Sequence, residues 1–300
     1  VNKSHLCPTF DVVFIDEAQD LSPIQWMMYD ILKANTKDMY LAGDDDQAIY
    51  AWAGADVDRF IKEPATEVVL KKSRRVPRKI QDMSNIIVNR IEGLRADKQY
   101  YPREEDGSCI KINNLDNVDL TKDNWLILTR TRSKSVQIAK ELKQRGIFFE
   151  SKFFKSLNTK LHKAAVYYSR WSEGQELNQK EIDDVEDYMS DDNWNELVPW
   201  FEAFDKANLE DKNYIRLLLS NKEKLSEPPR VKISTIHAAK GGESDNVLLV
   251  LDNARKIRES VLKNVRKRDE EHRVWYVGVT RSRKNLYLMR AKIERYGYNL

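Results

Sequence analysis

The sequence of 300 residues contains few cysteines, few histidines and no long apolar run. Its two cysteines, Cys7 and Cys109, are far apart, which excludes a disulfide scaffold and a cysteine-rich zinc site and is typical of a reducing compartment. No run of about 18 apolar residues is present, so we expect no transmembrane helix and no membrane partner. The sequence also opens without the basic, apolar and small-residue regions of a secretory signal. We therefore expect a cytoplasmic globular protein.

Charge of neither sign dominates, because the formal net charge is only +3. The total gives no argument for nucleic-acid binding, but charge is unevenly distributed along the chain. Residues 1–70 and 176–212 are strongly acidic, whereas residues 71–103 and 252–295 are strongly basic. Such blocks are usually solvated helix faces, and they can also form local basic surfaces for an anionic partner.

A short apolar strand is predicted to end at a pair of carboxylates. Val12–Ile15 is a run of β-branched and aromatic residues, typical of a buried parallel strand, and Asp16 and Glu17 follow it directly. In open α/β sheets, ligands bind at the carboxyl edge of the strands. Asp16 suits Mg²⁺, which prefers oxygen ligands, and Glu17 is placed to deprotonate a water that attacks a γ-phosphate. The alternative for such an acid pair is an ordinary turn.

Predicted strands and helices alternate along the rest of the chain, as is typical of an α/β protein. Residues 151–226 differ, because they are polar and helical in pattern and show no strand signal. Further strands are predicted at 39–42, 68–70, 125–129, 147–149, 231–234, 247–251 and 286–289, and helices from Pro23 to Leu32, after Pro77, from Ser133 to Gly146 and over 271–282.

Six segments in order resemble the motifs of one enzyme family. Gly43–Ala55, which begins Gly-Asp-Asp-Asp-Gln, resembles motif III of the UvrD/Rep-type DNA helicases of superfamily 1, and Asp16–Asp20 resembles their motif II. The resemblance implies an α/β fold of tandem RecA-like lobes, the first of them partial, with a helical insertion in the second lobe. The remaining matches are Leu70–Arg75 (motif IV), Trp125–Ser133 (motif IVa), Thr235–Glu243 (motif V) and Val274–Ser282 (motif VI).

The resemblance also implies which residues serve ATP. Asp16 and Glu17 would hold Mg²⁺, and Glu17 would be the catalytic base. Gln47 would sense the γ-phosphate and the attacking water. Arg75 and Arg281 would approach the γ-phosphate from the second lobe. Arginine suits this role because a planar guanidinium pairs well with phosphate oxygens. The other implied nucleotide contacts are Arg74, Gly241 and Glu243, of which Glu243 would accept from the ribose hydroxyl.

A second group of residues is implied to bind single-stranded DNA. Trp52 occupies the position of the aromatic on which family members stack a base, and stacking suits a sequence-independent motor because every base has a π-face. Tyr50 is a second candidate, and His237 is expected to link the DNA and nucleotide sites. Arg130 and Arg132 are candidates for phosphate contacts. The alternatives are a core tryptophan at position 52 and solvated loop arginines at the other two positions.

The sequence departs from the family pattern at three places. No glycine is followed by lysine, so the phosphate-cradling P-loop is absent, and we expect truncation upstream of Asp16 to explain this. This chain alone is therefore expected to be inactive. Arg74 stands where the family has an adenine-stacking aromatic, which weakens the case for adenine selectivity, and Ala53 replaces an arginine that follows the tryptophan.

The motif order predicts the domain organisation. Residues 1–65 are expected to be the C-terminal part of the first RecA-like lobe, and residues 66–150 and 229–300 to form the second. Residues 151–228 would be a short helical insertion at the place of the family's 2B subdomain, facing a regulatory or protein partner. The alternative is a packing cap on the second lobe, with Leu197, Trp200, Phe201 and Phe204 as core.

The resemblance implies an ATP-dependent DNA helicase or translocase, which would move 3′-to-5′ on single-stranded DNA and unwind duplexes in replication, repair or recombination. Its expected ligands are ATP, Mg²⁺, single-stranded DNA and junctions of single and double strands. Its expected location is the cytoplasm, at the nucleoid, or the host cytoplasm if the source is viral. The alternative is a non-catalytic DNA- or partner-binding module without a P-loop. The retained Glu17, Gln47, Arg75 and Arg281 argue against it, because no structural requirement explains all four.

Overall fold

The computed structural model describes residues 6–190 and 194–300. Helices alternate with parallel strands, so the predicted α/β class is confirmed. No helix in this described part of the chain is long and apolar enough to cross a bilayer. In chain order the elements are β1 (Phe10–Ile15), α1 (Pro23–Ala34), β2 (Thr36–Leu41), α2 (Val57–Lys62), α3 (Arg78–Val88), β3 (Ser108–Ile112), β4 (Trp125–Thr129), α4 (Arg132–Gln144), β5 (Phe149–Ser151), α5 (Thr159–Ser172), α6 (Gln179–Glu186), α7 (Trp200–Ala203), α8 (Leu209–Ser220), β6 (Val231–Thr235), β7 (Ser244–Val250), α9 (Arg255–Lys263), α10 (Val265–Val279) and β8 (Ser282–Met289).

The described residues divide into two compact units. The first contains the chain up to Asn117 together with Leu128–Thr131 and Thr235–Leu300. The second contains Val118–Ile127 and Arg132–Ser234. The predicted insertion therefore falls wholly within the second unit. Every predicted site residue except Arg132 falls within the first.

Two parallel strands bring the first two motifs to one edge of a sheet. β1 and β2 pair in a register that sets Ile15 opposite Leu41. Backbone bonds continue past the strands, from Ala42 N to Ile15 O (2.8 Å) and from Ala18 N to Ala42 O (2.9 Å). The predicted helix α1 runs from Pro23 to Ala34 between the two strands. The carboxyl ends of β1 and β2 thus lie side by side, which is where an α/β sheet places ligands.

Two apolar segments that were predicted as strands differ from the prediction. β1 forms but is not buried, and Phe14 is 76% exposed, because β2 is its only strand neighbour among the described residues. The predicted strand at 68–70 does not form, and Val68 and Leu70 are 79% and 83% exposed. The pairing nearest to this segment is an isolated bridge between Lys72 and Tyr101. In these two segments, the apolar character of the residues did not determine strand pairing or burial of the side chains.

In the first unit, β8 lies between β3 and β7, and both pairings are parallel. β3 was not among the predicted strands, because it has only three apolar residues and Lys111 lies between two of them. α10 begins at Val265, earlier than predicted, and the Asn264 side chain caps it by accepting from Lys267 N (3.1 Å). The basic residues before α10, for which no element was predicted, form α9. The second half of α10 is buried and carries most of motif VI, whose last residues, Arg281 among them, follow the helix.

In the second unit, β5 pairs in parallel with β6, and β6 lies between β4 and β5. Helices α5 to α8 follow β5, as the sequence predicts. Their core is aromatic, with Tyr168 and Phe204 buried and their rings 5.5 Å apart. Of the apolar set expected in this core, Trp200 and Phe204 are buried, but Leu197 is 93% exposed because it lies in a turn before α7.

Candidate functional site

Residues from distant parts of the chain meet beside the carboxyl ends of β1 and β2. Glu17 follows β1, and Gln47 follows β2. Lys240 lies in the turn between β6 and β7, and Arg281 lies between α10 and β8. All four belong to the first compact unit. The structure therefore brings together residues from motifs II, III, V and VI.

Glu17 adopts a strained backbone conformation. Its φ of 53° and ψ of 38° lie in the left-handed region, which costs a residue other than glycine about 1–2 kcal/mol. The turn is held by Asp20 N, which donates to Glu17 O (2.9 Å). The Glu17 carboxylate accepts from Gln19 Nε2 and lies 3.1 Å from Lys240 Nζ. Strain of this kind at an exposed carboxylate points to a role for its position.

Lys240 was not among the predicted site residues, although it lies within the motif V segment. Its side chain is only 7% exposed and pairs with Asp20 as well as Glu17. Nζ also donates to Gln47 O (3.0 Å) and lies 5.4 Å from the centre of the Tyr50 ring. Burial raises the pKa of the Asp20 carboxyl, and the Lys240 ammonium acts against that rise. A lysine between small residues after an apolar strand was the signal that could have identified it.

Gln47 and Arg281 form the central contact of the site. Gln47 Oε1 accepts from Arg281 Nη2 (3.1 Å), and Gln47 Nε2 donates to Asp44 Oδ2 (2.7 Å). Arg281 is 1% exposed, and its Nε donates to Val277 O (3.0 Å) in the last turn of α10. The amide of Gln47 is therefore held at both ends, and its oxygen faces the guanidinium.

Arg75 adds a second guanidinium close to the first. Burial, and then the neighbouring Arg75, lower the pKa of Arg281 to about 10, so Arg281 stays charged at neutral pH. Arg75 Nε is buried and has no hydrogen-bond partner among the described residues. Arg281, by contrast, is bonded through Nε, Nη1 and Nη2. Two neighbouring guanidiniums, one of them with an unpaired nitrogen, have the chemistry of a phosphate receptor. A cavity of about 630 Å³, lined by Gly43, Gln47, Arg75 and Thr280 among others, has the size of a small-molecule site.

The remaining residues predicted to contact ATP differ in their surroundings. Glu243 lies 3.8 Å from Arg75 Nη1, and it also accepts from Arg283 Nη1 (3.1 Å), which the sequence analysis did not single out. Gly241 has φ of 81°, and a Cβ there would meet open space, so backbone strain and not crowding favours glycine. Arg74 is exposed.

The rings predicted to bind DNA lie close together, with Trp52 exposed and Tyr50 and His237 half-buried. Trp52 is 70% exposed, so the alternative of a core tryptophan is excluded. Ring centres lie 6.2 Å apart for Tyr50 and Trp52, and 6.5 Å apart for Trp52 and His237. Tyr50 OH donates to His237 O (3.1 Å). Burial, with a smaller contribution from the Arg130 charge, lowers the pKa of His237 to about 4, so its ring is neutral at pH 7.

The two arginines predicted to contact phosphate have other partners in the structure. Arg130 Nε and Nη2 donate to the Glu271 carboxylate at 2.9–3.0 Å, and both side chains are largely buried. Glu271 also accepts from Trp275 Nε1 (2.7 Å). Arg132, in the second unit, donates from Nη2 to Phe153 O (3.1 Å). A phosphate contact by either arginine stays a prediction, and Arg130 is not the solvated loop residue of the alternative.

Asp16 has the features expected of a magnesium ligand. Its carboxylate is exposed at the end of β1 and accepts from Glu17 N (2.8 Å). Among the described residues no group of three or more His, Cys, Asp and Glu side chains could hold a metal ion. Mg²⁺ at nucleotide sites needs only one or two carboxylates, since phosphates and waters complete its shell. Asp16 therefore fits a nucleotide-bound Mg²⁺, while the Glu17 carboxylate is engaged with Lys240.

Two family models match parts of this chain. The model described as the UvrD/REP helicase N-terminal domain matches residues 3–66, and that of the UvrD-like helicase C-terminal domain matches residues 154–292. The matched residues include Glu17, Gln47, Lys240 and Arg281, which meet at the site described above.

Curated relatives match segments of different length. DNA helicase II of Escherichia coli K12 is 31% identical over 129 residues, which are 39% of this chain and 18% of that protein. The ATP-dependent DNA helicase PcrA of Leuconostoc citreum is 26% identical over 155 residues, covering 44% and 21% respectively. A probable DNA helicase II homolog of Rickettsia felis is 24% identical over a gapped alignment of 407 positions. That alignment covers 96% of this chain and 62% of that protein. The chain thus spans less than two thirds of each of these relatives.

Proposed function

Because this chain belongs to the UvrD/Rep-type family of DNA helicases, we propose that its first unit carries the site at which ATP hydrolysis drives movement along single-stranded DNA. One observation carries this proposal, namely the hydrogen bond between Gln47 Oε1 and Arg281 Nη2 (3.1 Å). It joins a motif III amide to a motif VI guanidinium beside a second guanidinium, Arg75. Such a group is suited to bind and align an anion.

The chemistry follows from the positions of these side chains. Mg²⁺, held by Asp16, would neutralise charge on the nucleotide phosphates. Glu17 would accept the proton of the attacking water, and Gln47 would align that water with the γ-phosphate. Arg281 and Arg75 would stabilise the charge that develops on the phosphoryl oxygens. Catalysis in this scheme is positioning and charge neutralisation, which is what phosphoryl transfer requires.

The exposed Trp52 and the rings beside it would hold the DNA. Trp52 would stack on a base, with Tyr50 and His237 beside it. By resemblance to the family we propose 3′-to-5′ movement and unwinding at junctions of single and double strands, in replication, repair or recombination at the nucleoid. Residues 151–228 would offer a surface to a protein partner.

Binding of the nucleotide phosphates also requires a P-loop. The 300 residues contain no Gly-Lys-Ser/Thr, the sequence whose backbone cradles nucleotide phosphates. We therefore propose that these residues alone do not hydrolyse ATP and that hydrolysis requires a P-loop supplied from outside them, by the same or another chain.

The test is hydrolysis of ATP with and without single-stranded DNA. The 300-residue chain is compared with the product of the complete reading frame that encodes it, each as wild type and as Glu17→Gln. DNA-stimulated hydrolysis by the longer product alone, lost in Glu17→Gln, is the expected result. No hydrolysis by a product that itself contains a P-loop, with DNA binding retained, would contradict the proposal and favour a non-catalytic binding module.

A further inference from the structure

The three aspartates that follow β2 are closely paired with basic residues from a distant segment. Asp45 and Asp46 are 1% and 0% exposed. Arg95 donates to both oxygens of Asp46, from Nε (2.7 Å) and Nη2 (2.9 Å). Lys98, whose side chain is 5% exposed, pairs with Asp44 (2.7 Å), with Asp46 (3.4 Å) and with Asp45. Buried carboxylates require such partners, because burial of an unpaired charge is costly.

The two oxygens of Asp44 serve different partners. Oδ1 accepts from Lys98 Nζ (2.7 Å) and from Asp46 N (3.2 Å), while Oδ2 accepts from Gln47 Nε2 (2.7 Å). A glutamine amide has one donor end and one acceptor end. Since Nε2 is bonded to the carboxylate, Oε1 is left to accept from Arg281. A rotated amide would set its oxygen against Asp44 and its N–H groups against Arg281, and both contacts would be repulsive.

The segment that carries Lys98 is itself fixed in place. Arg273 of α10 donates from Nη2 to Leu94 O (3.0 Å) and from Nε to Asp45 O (2.9 Å). Ala96 N donates to Asp45 Oδ2 (3.1 Å). Burial opposes protonation of Lys98, but the three carboxylates raise its pKa above the ordinary lysine value. Lys98 is therefore a permanent cation in a fixed position.

From these contacts we propose that Lys98 is a positioning residue, which acts through Asp44 to fix the orientation of the Gln47 amide toward the nucleotide phosphates. The role of Gln47 at the nucleotide rests on the proposed function, whereas the orientation of its amide does not. Lys98 touches no reacting atom in this scheme. Lys98 instead fixes the direction in which the donor and acceptor ends of the Gln47 amide point.

The direct test is the side-chain amide signal of Gln47, recorded by NMR with isotope-labelled glutamine and assigned by its loss in Gln47→Ala. Asp44→Asn is nearly isosteric, and its amide cannot accept from both Lys98 and Gln47. Lys98→Met removes the cation. Asp45→Asn is the control, because Asp45 is more buried than Asp44 and also pairs with Lys98, but its side chain makes no hydrogen bond with Gln47. If Lys98→Met fails to fold, Asp45→Asn/Lys98→Met is compared with Asp45→Asn, because the double variant loses one charge of each sign.

The expected result is a shifted Gln47 signal, with faster exchange of its protons with water, in Asp44→Asn and in the Lys98 variants, and an unchanged signal in Asp45→Asn. An unchanged signal in Asp44→Asn and the Lys98 variants would overturn the proposal. A shift of equal size in all variants, Asp45→Asn included, would also overturn it, because the cluster would then act only as a general support of the fold.

A second measurement separates this inference from the proposed function. In the product of the complete reading frame, Asp44→Asn should lower kcat for ATP hydrolysis about tenfold, equivalent to about 1.4 kcal/mol, and leave KM for ATP unchanged. A change in KM alone would contradict the positioning role. If the wild-type product hydrolyses no ATP, the proposed function fails while the NMR result still decides the orientation of Gln47.

Discussion

Lys240 Nζ lies 3.1 Å from Glu17 Oε2 and 5.4 Å from the centre of the Tyr50 ring. One buried ammonium thus contacts the proposed catalytic base and also the segment that carries Trp52, the proposed base-stacking residue. A change in the position of Lys240 would alter its contacts with both Glu17 and Tyr50. The two proposed sites are therefore connected through the Lys240 side chain.

The Lys240 ion pairs should be important for stability. Lys240→Met leaves the Asp20 carboxylate, whose side chain is 17% exposed, without its cation. Loss of one partner of a buried pair costs about 3–5 kcal/mol, so the free energy of unfolding should fall by roughly that amount in urea titrations at pH 7. The control is Lys224→Met, which breaks a pair with Glu227 whose two side chains are exposed, and it should cost about 1 kcal/mol or less. Equal losses in the two variants would contradict this account.

His237 should make stability depend on pH below neutrality. Its pKa is about 4 in the folded chain and 6.5 for an ordinary histidine, so unfolding takes up a proton between these values. Stability is therefore present above pH 6.5 and is lost as the pH falls toward 4, by up to about 3 kcal/mol. His237→Gln cannot titrate and should lose less stability between pH 7 and pH 5 in urea titrations. The wild type and His237→Gln share the other histidines. If their free energies of unfolding depended on pH in the same way, His237 would not be buried as described.

Trp52 should contribute to DNA affinity and little to stability, since it is 70% exposed. Trp52→Ala should weaken binding of a labelled oligothymidine by about 1–3 kcal/mol, the usual contribution of one stacked base. Trp52→Phe should retain part of that affinity because a π-face remains. Fluorescence anisotropy gives the dissociation constants. Tyr40→Ala removes another exposed aromatic, one on β2 that stacks on Phe14, and should leave affinity unchanged. Equal weakening by Trp52→Ala and Tyr40→Ala would refute a specific stacking site.

Local sequence signals predicted much of the fold. Pro23 begins α1, as predicted, and Gln25 Oε1 accepts from Ser22 N at its start (2.9 Å). The acidic residues after Val12–Ile15 do follow a strand, and that placement set the edge where the site forms. These features depend on a few neighbouring residues, so a sequence displays them directly.

Features that depend on distant partners were not predictable in the same way. Phe14 and Leu70 are apolar, but their exposure depends on which elements pack on them. The pairing of Arg130 with Glu271 joins residues that no local pattern connects. Lys98 was counted only as part of a basic block, since nothing nearby in sequence indicates that three aspartates surround it. Such pairings are properties of the folded chain.

The central claim is that Arg281 stabilises charge on a transferred phosphoryl group beside Gln47. Its most direct test is the kcat for ATP hydrolysis, stimulated by single-stranded DNA, in the product of the complete reading frame. Arg281→Ala should lower kcat about a thousandfold, the smaller end of the effect of losing such an arginine. Arg290→Ala, which removes an exposed arginine at the end of β8, should leave kcat unchanged. If Arg281→Ala also leaves kcat at the wild-type value, the site described here is not the site of hydrolysis.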